Sequence, residues 1–318
     1  MEKPVAIVGL GALGSALAGL LAAAGVPVVG VCRRAEHREK VSSHGLLLRE
    51  DGKESRITLP VFQELPSGQA VALAVILVKS FDTEGAAQSL AGRIAPDTPV
   101  LTLQNGLGNA ETLAAHLAPE QILAGTTTFA ALREAPGVVR LTGRGECEIG
   151  AWRPGAERHL PRVKELLGRG GIPCRFSSNV PASLWRKLAV NAVINPLTAL
   201  LRVRNGELLE RGELEPLFAA VVEEVWRVAA RHQVALPTPP ELVAEVRRVC
   251  QLTADNQSSM LRDLAEGRRT EVDAISGAVA RLGRERGALA PVNEALAALI
   301  RAASSLSQPK RERDQRLQ

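Results

Sequence analysis

The sequence has no tyrosine, and aromatic residues make up 3% of its 318 positions. Proteins that bind single-stranded nucleic acid usually stack bases on aromatic side chains. The scarcity of such side chains therefore argues against that class of protein. A formal net charge of +5 is modest for this length, and we expect no nucleic-acid partner.

Closely spaced cysteine and histidine pairs are also missing. The cysteines, Cys32, Cys147, Cys174 and Cys250, show no CxxC spacing, and the histidines form no HxH or HExxH pair. Structural zinc sites depend on such spacings. We therefore expect no metal site, and the cysteines are typical of reduced thiols in a cytoplasmic protein.

Charged side chains are absent between Pro4 and Cys32, a stretch long enough to resemble a membrane span or a signal peptide. Glycines and Pro27 interrupt this stretch, and the glycine positions have another explanation. We therefore expect no membrane association. The basic terminal segment, residues 305–318, is predicted to be a charged, disordered tail.

The first thirty residues predict a dinucleotide-binding unit. Apolar strands at Val5–Val8 and Val26–Val31 flank a helix at Ser15–Ala24, and the GxGxxG motif precedes that helix. The glycines of this motif allow a tight turn, close approach of a pyrophosphate and close helix packing. The helix N-terminus offers N–H groups to the phosphates. The cofactor-binding motif comprises Gly9, Leu10, Gly11, Ala12, Leu13 and Gly14.

The end of the second strand favours NADPH over NADH. NAD-binding proteins usually carry an acidic residue there for the ribose 2′-hydroxyl. This chain has Arg33 and Arg34 instead, and its next acidic residue is Glu36. Guanidinium groups pair well with a 2′-phosphate, although the same two arginines could simply be solvated surface residues. Which arginine would take the phosphate stays open.

Further apolar segments predict a parallel sheet with polar residues at its carboxyl edge. One strand, Val71–Val78, leads into Lys79, and the next, Pro99–Leu103, leads into Asn105. The remaining predictions for this domain are a strand at Ile122–Ala131, a hairpin formed by Val138–Leu141 and Cys147–Ile149, a helix at Glu157–Leu167 and a strand at Ile172–Phe176.

After Ser177–Asn179 the pattern is helical to the end of the chain. We therefore predict one domain at 1–178 and an all-α domain at 179–304. Its predicted helices include Glu215–Gln233, Glu241–Leu252, Thr253–Leu261, a helix from an N-cap at Thr270 to Leu282, and Glu294–Ala303.

The helix around Lys187 carries a row of polar residues. Lys187, Asn191 and Asn195 follow one another at intervals of four, so their side chains share one edge of the helix. Apolar neighbours indicate that the helix is largely buried, and buried polar groups need partners. The row could also be a partly exposed edge with a snorkelling lysine. Pro196 is expected to end or bend the helix.

Taken in order, these motifs resemble the 2-dehydropantoate 2-reductase (ketopantoate reductase) family. The resemblance runs nearly end to end. The segments that carry it are the GxGxxG loop, Lys79, Gln104–Gly106, Gly125–Thr128, Trp185–Asn191, Ile194–Ala199, Asn205–Leu208, Ser258–Leu261 and Arg269–Asp273.

The resemblance implies a Rossmann domain followed by a helical domain like that of 6-phosphogluconate dehydrogenase, with the site in the cleft between them. It implies reduction of 2-dehydropantoate with NADPH and a general acid at Lys187. By the same resemblance, Asn105 would hold the lysine and lie near the nicotinamide, and Glu271 would lie near the carbonyl and the cofactor ribose. The implied ligands of the substrate's carboxylate and hydroxyl ends are Asn191, Asn195 and Ser259, with Asn205 and Asn256 lining the same cleft. Arg33 and Lys79 match contacts to NADPH.

Two alternatives stay open. A sibling reductase could act on a related 2-oxo acid, because fold and lysine determine reaction type better than substrate. A non-catalytic NADP-binding regulator would be expected to have lost Lys187 or Glu271, and the sequence retains both. A homodimer is compatible with the sequence, which does not specify the oligomeric state.

Overall fold

The computed structural model describes residues 2–307, which divide into two compact units. The first comprises residues 2–104 and 108–183, and the second comprises 105–107 and 184–307. The predicted boundary near Ser177–Asn179 stays a prediction. All but the first three residues of the predicted tail lie outside the described residues.

The first unit alternates strands and helices. Its elements are β1 (Val5–Val8), α1 (Ala12–Ala23), β2 (Val28–Val31), α2 (Ala35–His44), β3 (Leu46–Glu50), β4 (Lys53–Ile57), β5 (Val61–Phe62), β6 (Leu73–Ile76), α3 (Thr83–Leu90), β7 (Val100–Thr102), α4 (Asn109–Ala114), β8 (Ile122–Thr127), β9 (Ala130–Ala135), β10 (Val138–Gly143), β11 (Cys147–Ala151), α5 (Leu160–Arg169) and β12 (Cys174–Phe176).

The large sheet of this unit has the order β12-β11-β8-β7-β6-β1-β2-β5. All its pairings are parallel except that of β11 with β8. Strands β1 and β6 are buried at every position, as expected for a parallel sheet covered on both faces. The α/β class of this domain is therefore confirmed.

A second, four-stranded sheet, β4-β3-β10-β9, was not predicted. The predicted single strand Ile122–Ala131 is wrong, because β8 ends at Thr127 and β9 belongs to this second sheet. Between them the Phe129 N–H donates to Thr127 Oγ1 at 3.2 Å. This local side-chain bond replaces a strand bond and lets the chain change direction.

The predicted hairpin between Val138–Leu141 and Cys147–Ile149 is also wrong. Strand β10 pairs antiparallel with the preceding β9 through a turn at Gly137, whose φ is +76°. Strand β11 pairs with β8 and β12 in the large sheet. The Pro-Gly dipeptide at 136–137 was the turn signal, and it lies before β10 rather than after it.

The second unit is helical throughout the part that the structure describes. Its elements are α6 (Val180–Leu201), which begins at the end of the first unit, α7 (Glu215–Arg231), α8 (Pro239–Leu252), α9 (Ser259–Ala265), α10 (Ser276–Glu285) and α11 (Pro291–Ser307). The predicted all-α class of this domain is confirmed. Residues 305–307 of the predicted tail form the last turn of α11.

Two details of the helical prediction are wrong. Thr253–Leu261 is not one helix, because Ser258 accepts the Leu261 N–H at 3.0 Å and so starts a new helix, α9. The helix predicted from Thr270 begins only at Ser276, after a single 3₁₀ turn at Val272–Ala274. Of the two outcomes expected at Pro196, an end of the helix is excluded because Pro196 lies inside α6, and a bend stays a prediction.

Among residues 2–307 no helix is both long and apolar enough to cross a membrane. The same residues contain no group of three or more His, Cys, Asp or Glu side chains that could hold a metal ion. The expected absence of a metal stays a prediction. The cysteines of the described chain are free thiols.

His37 joins three elements of the first unit. Its ring is 1% exposed, and Nδ1 accepts the Gly137 N–H at 3.1 Å. Nε2 therefore carries the proton and donates to Ser15 Oγ, 3.2 Å away on α1. Burial, followed by the nearby charges of Arg133 and Arg34, lowers the pKa of His37 to about 4.

Stability should therefore fall in acid because of His37. Between pH 6.5 and about 4 the unfolded chain binds a proton at this ring that the folded chain does not. The free energy of unfolding should drop by about 2 kcal/mol across this window from His37 alone. Urea unfolding of wild type and His37→Asn at pH 4.5 and pH 7.5 measures this contribution.

His37→Asn should be less stable than wild type at neutral pH but should lose less stability on acidification. The exposed His44 on the same helix provides the control, and His44→Asn should keep the wild-type pH dependence. Equal pH dependence in all three proteins would show that folding does not lower the pKa of His37.

Candidate active site

The glycine loop between β1 and α1 has one open position. Gly9 has φ of +104°, and a Cβ there would lie 2.5 Å from the Val78 backbone nitrogen. A Cβ on Gly14 would overlap the Gly9 carbonyl oxygen. A Cβ on Gly11 would meet no atom within 4 Å. Gly9 and Gly14 are therefore required by the fold, whereas the space at Gly11 fits a bound pyrophosphate.

The rest of the motif shapes the start of α1. Leu10 is buried and packs against Gly30 of β2, where a Cβ would lie 2.6 Å from Leu10 Cδ1. Ala12 and Leu13 form the first turn of α1, whose N-cap is Gly11. Since glycine has no side chain to cap the helix, the first N–H groups stay suited to phosphate oxygens.

Arginines surround the carboxyl end of β2. Arg33 is exposed and forms an ion pair with Asp82. Arg34 is the N-cap residue of α2 and is also exposed. The Arg38 guanidinium donates to the carbonyl oxygen of Cys32 at 3.0 Å. Both predicted arginines thus lie where the ribose of a dinucleotide is bound in this class of fold.

The segment after β6 is held by a buried network of polar side chains. Lys79 is half-buried, and its carbonyl accepts the Asp82 N–H at 2.8 Å. Gln104 donates to the Val78 carbonyl and to Thr83 Oγ1, both at 2.8 Å. No role was predicted for Gln104 or Thr83, although Gln104 directly follows the predicted strand Pro99–Leu103.

The polar row on α6 lies in a mostly buried setting. Lys187 and Asn191 are half-buried, and Asn195 is 7% exposed. The apolar residues around them are buried, namely Leu188, Val190, Val193 and Ile194. The row therefore follows the buried alternative more closely than that of an exposed helix edge.

A hydrogen bond between α6 and α9 places Ser259. Thr198, one turn beyond Asn195, is hydrogen-bonded to Ser258, with 2.8 Å between their hydroxyl oxygens. Ser258 is the N-cap of α9, and the half-buried Ser259 is its first residue. This contact brings Ser259 to the Asn195 end of α6. The sequence signal for it was the pair of adjacent serines before an apolar run.

Asn205 and Asn256 lie together beyond the end of α6. The Asn205 N–H donates to the Asn256 carbonyl at 3.0 Å, and Asn205 Nδ2 donates to Thr253 Oγ1 at 2.9 Å. Asn205 Oδ1 is buried and has no hydrogen-bond partner. A buried acceptor without a partner is costly, so this oxygen is suited to a donor from a ligand.

Asn105 lies in the same unit as Glu271. The Leu107 N–H donates to the Ala274 carbonyl at 2.9 Å, and Gly106 packs so closely that a Cβ would overlap that carbonyl. Glu271 is 7% exposed and precedes the 3₁₀ turn that contains Ala274. The short segment 105–107 is thus attached to the turn that follows Glu271.

Comparison with known families gives two matches. Residues 5–154 match the family described as ketopantoate reductase PanE/ApbA, and residues 179–304 match its C-terminal domain. The chain belongs to the ketopantoate reductase family. The predicted family and fold class are therefore confirmed, and the chain is an oxidoreductase of that family.

Similar proteins cover nearly the whole chain. The 2-dehydropantoate 2-reductase of Halobacterium salinarum is 39% identical over 94% of this chain and 98% of its own length. That of Pyrococcus horikoshii is 35% identical over 94% of this chain and 97% of its own.

Solved structures extend the comparison to cofactors. A ternary structure of D-mandelate dehydrogenase with NADH and anilino(oxo)acetate has 31% identity and a TM-score of 0.92, covering 96% of this chain and 99% of that one. A PanE/ApbA family ketopantoate reductase from Ralstonia eutropha has 31% identity and a TM-score of 0.87, covering 96% and 100%.

The open position at Gly11 yields a specific prediction. Gly11→Ala should leave the fold intact, because its backbone has ordinary extended angles and its Cβ meets no atom. The added methyl would occupy the space next to the pyrophosphate. We expect the dissociation constant for NADPH to rise about tenfold or more, measured by nicotinamide fluorescence.

Gly168→Ala is the matched control, since a Cβ at this helical position of α5 also meets no atom within 4 Å. It should bind NADPH like the wild type and be slightly stabilised. Unchanged NADPH binding in Gly11→Ala would show that the pyrophosphate does not lie next to Gly11.

Proposed function

We propose that this protein reduces 2-dehydropantoate to pantoate with NADPH, with Lys187 as the general acid. The observation that carries this proposal is the mostly buried row of Lys187, Asn191 and Asn195 on α6. It occurs in a chain that is 39% identical to a 2-dehydropantoate 2-reductase.

Reduction of a ketone requires a proton or a positive charge at the carbonyl oxygen. The cofactor supplies the hydride to the carbonyl carbon. The ammonium group of Lys187 donates a proton to the oxygen as alkoxide charge develops there. A half-buried lysine suits this task, because partial exclusion of water strengthens its interaction with the developing charge.

Amide and hydroxyl side chains suit the rest of a small polyoxygenated acid. Asn191, Asn195 and Ser259 would donate to its carboxylate and exchange hydrogen bonds with its hydroxyl group. Asn205 would accept a hydrogen bond from a substrate hydroxyl group through its buried and unpartnered Oδ1. Asn256, whose carbonyl accepts the Asn205 N–H, would line the same part of the site.

The two remaining polar residues would serve the reaction centre. Asn105 would hold the Lys187 ammonium group and lie near the nicotinamide. Glu271 would lie near the carbonyl and the cofactor ribose. Glu271 is 7% exposed and precedes the 3₁₀ turn to which the Leu107 N–H is bonded, which supports a place close to Asn105.

The cofactor would be bound by the glycine loop and the cations around β2. The loop of Gly9–Gly14 would receive the pyrophosphate at Gly11. Arg33 and Arg34 would pair with the 2′-phosphate, and Lys79 would contribute a further contact. The exposed guanidinium groups at the carboxyl end of β2 support this proposal.

A sibling 2-oxo acid reductase is the second candidate. The structure of D-mandelate dehydrogenase with NADH and anilino(oxo)acetate, which is 31% identical with a TM-score of 0.92, favours it. That protein has a similar fold, but it is named for a different substrate and was solved with NADH. A non-catalytic NADP-binding regulator is the third reading. The cytoplasmic location and the homodimer stay proposals.

A substrate panel tests all three candidates. Purified protein is mixed with NADPH and with 2-dehydropantoate, pyruvate, 2-oxoisovalerate or phenylglyoxylate, and loss of absorbance at the nicotinamide band is followed. The highest kcat/KM should belong to 2-dehydropantoate. A higher value for another ketone acid would assign the protein to the sibling class, and no turnover with any of them would favour the regulator.

Lys187→Ala should lower kcat by about two or more orders of magnitude, the usual contribution of a general acid. NADPH affinity should stay nearly unchanged. Arg186→Ala is the control, because this exposed neighbour pairs with Glu245 on the protein surface and should keep its kcat. A near-normal kcat for Lys187→Ala would exclude the lysine from proton transfer.

A further inference from the structure

Arg33 and Asp82 meet across the end of the central strand. In the large sheet β1 lies between β2 and β6. Arg33 follows β2, and Asp82 lies at the N-terminus of α3, which follows β6. Neighbouring strands are about 4.8 Å apart, so the ends of β2 and β6 are about 10 Å apart. The Arg33–Asp82 ion pair therefore spans the carboxyl end of β1, where the glycine loop begins.

The Asp82 carboxylate contributes little to the stability of the fold. Its side chain is 33% exposed and that of Arg33 is 59% exposed, and exposed ion pairs contribute only about 0–1 kcal/mol to stability. Asp82 is the N-cap residue of α3, yet its side chain caps no N–H group. The bond that orders this turn, from the Asp82 N–H to the Lys79 carbonyl, is made by the backbone.

Dinucleotide sites distinguish their cofactors at the 2′ position of the adenosine ribose. A carboxylate accepts a hydrogen bond from the 2′-hydroxyl of NADH, whereas a cation pairs with the 2′-phosphate of NADPH. The carboxylate usually comes from the end of β2, where this chain has arginine. Asp82, in the segment that follows β6, places a carboxylate in contact with the Arg33 guanidinium at this edge of the sheet. The site therefore contains both kinds of recognition group.

We propose that Asp82 enables this site to accept NADH as well as NADPH and sets the ratio of the two affinities. This inference rests on the proposed nicotinamide site but not on the proposed substrate. With NADPH, Arg33 pairs with the 2′-phosphate and the Asp82 carboxylate repels it. With NADH, the Asp82 carboxylate accepts a hydrogen bond from the 2′-hydroxyl. Arg33 has enough N–H donors to keep its bond to Asp82.

Two substitutions should have opposite effects on the two cofactors. Asp82→Ala should raise the dissociation constant for NADH about fivefold to tenfold, because it removes the hydroxyl acceptor. The constant for NADPH should stay the same or fall. Arg33→Ala should raise the constant for NADPH about tenfold or more and change that for NADH little. Nicotinamide fluorescence measures all four constants without a ketone substrate.

Glu84→Ala is the matched control for charge. Glu84 lies in the first turn of the same helix, its side chain is 69% exposed, and its Oε1 lies 3.7 Å from His116 Nε2. Its removal changes the net charge as Asp82→Ala does, without removing a partner of Arg33. Both dissociation constants should stay at their wild-type values.

Three outcomes would overturn the inference. Weaker binding of NADPH alone in Asp82→Ala would mean that Asp82 only orients Arg33. Equal weakening of both cofactors, or no change in either, would remove Asp82 from cofactor selection. If Asp82→Ala does not fold, Asp82→Asn should show the same direction with a smaller effect.

Failure of the proposed function is distinguishable from these outcomes. A protein that binds both cofactors as expected but does not reduce 2-dehydropantoate would contradict the proposed substrate and support the role of Asp82. If the protein reduces 2-dehydropantoate but Asp82→Ala weakens both cofactors equally, the proposed substrate would be supported and the role of Asp82 contradicted.

Discussion

The close approach of α1 to β1 is the constraint on which the first unit depends. A methyl group on Gly14 would overlap the Gly9 carbonyl oxygen, and one on Gly9 would press on the backbone after β6. Only glycine allows this contact, which aims the start of α1 at the carboxyl edge of the sheet. The open position at Gly11, the arginines after β2 and the carboxylate after β6 all lie at that edge.

Local patterns predicted the part of the fold in which sequence neighbours are also neighbours in space. The unit from Val5 to Val31 is such a case, because strand, glycine turn, helix and strand follow one another directly. The second sheet could not be predicted in this way. Strand β4 is exposed at four of its five positions, so it has no apolar run. Strand β10 pairs with the distant β3, and no local pattern indicates that pairing.

The candidate site was predictable where a motif and a helical period coincide. Lys187, Asn191 and Asn195 lie on one helix at regular intervals, so their common face followed from geometry. The position of Ser259 depends on the start of a new helix at Ser258. The sequence pattern did not indicate that start, because serine is tolerated both inside a helix and at its cap. Asp82 was missed because its partner lies on another strand. Only the strand order brings the two together.

Pro196 has a consequence for the asparagine row. Proline has no N–H group, so the Ala192 carbonyl receives no bond from this residue. Two residues after Pro196, the Thr198 hydroxyl lies 2.6 Å from the Ile194 carbonyl oxygen and 3.1 Å from that of Asn195. Near Asn195 the helix therefore lacks one amide hydrogen bond, and the rotatable hydroxyl of Thr198 bonds to the carbonyl groups there. This gives the middle of α6 a compliance that an uninterrupted ladder of amide bonds would lack.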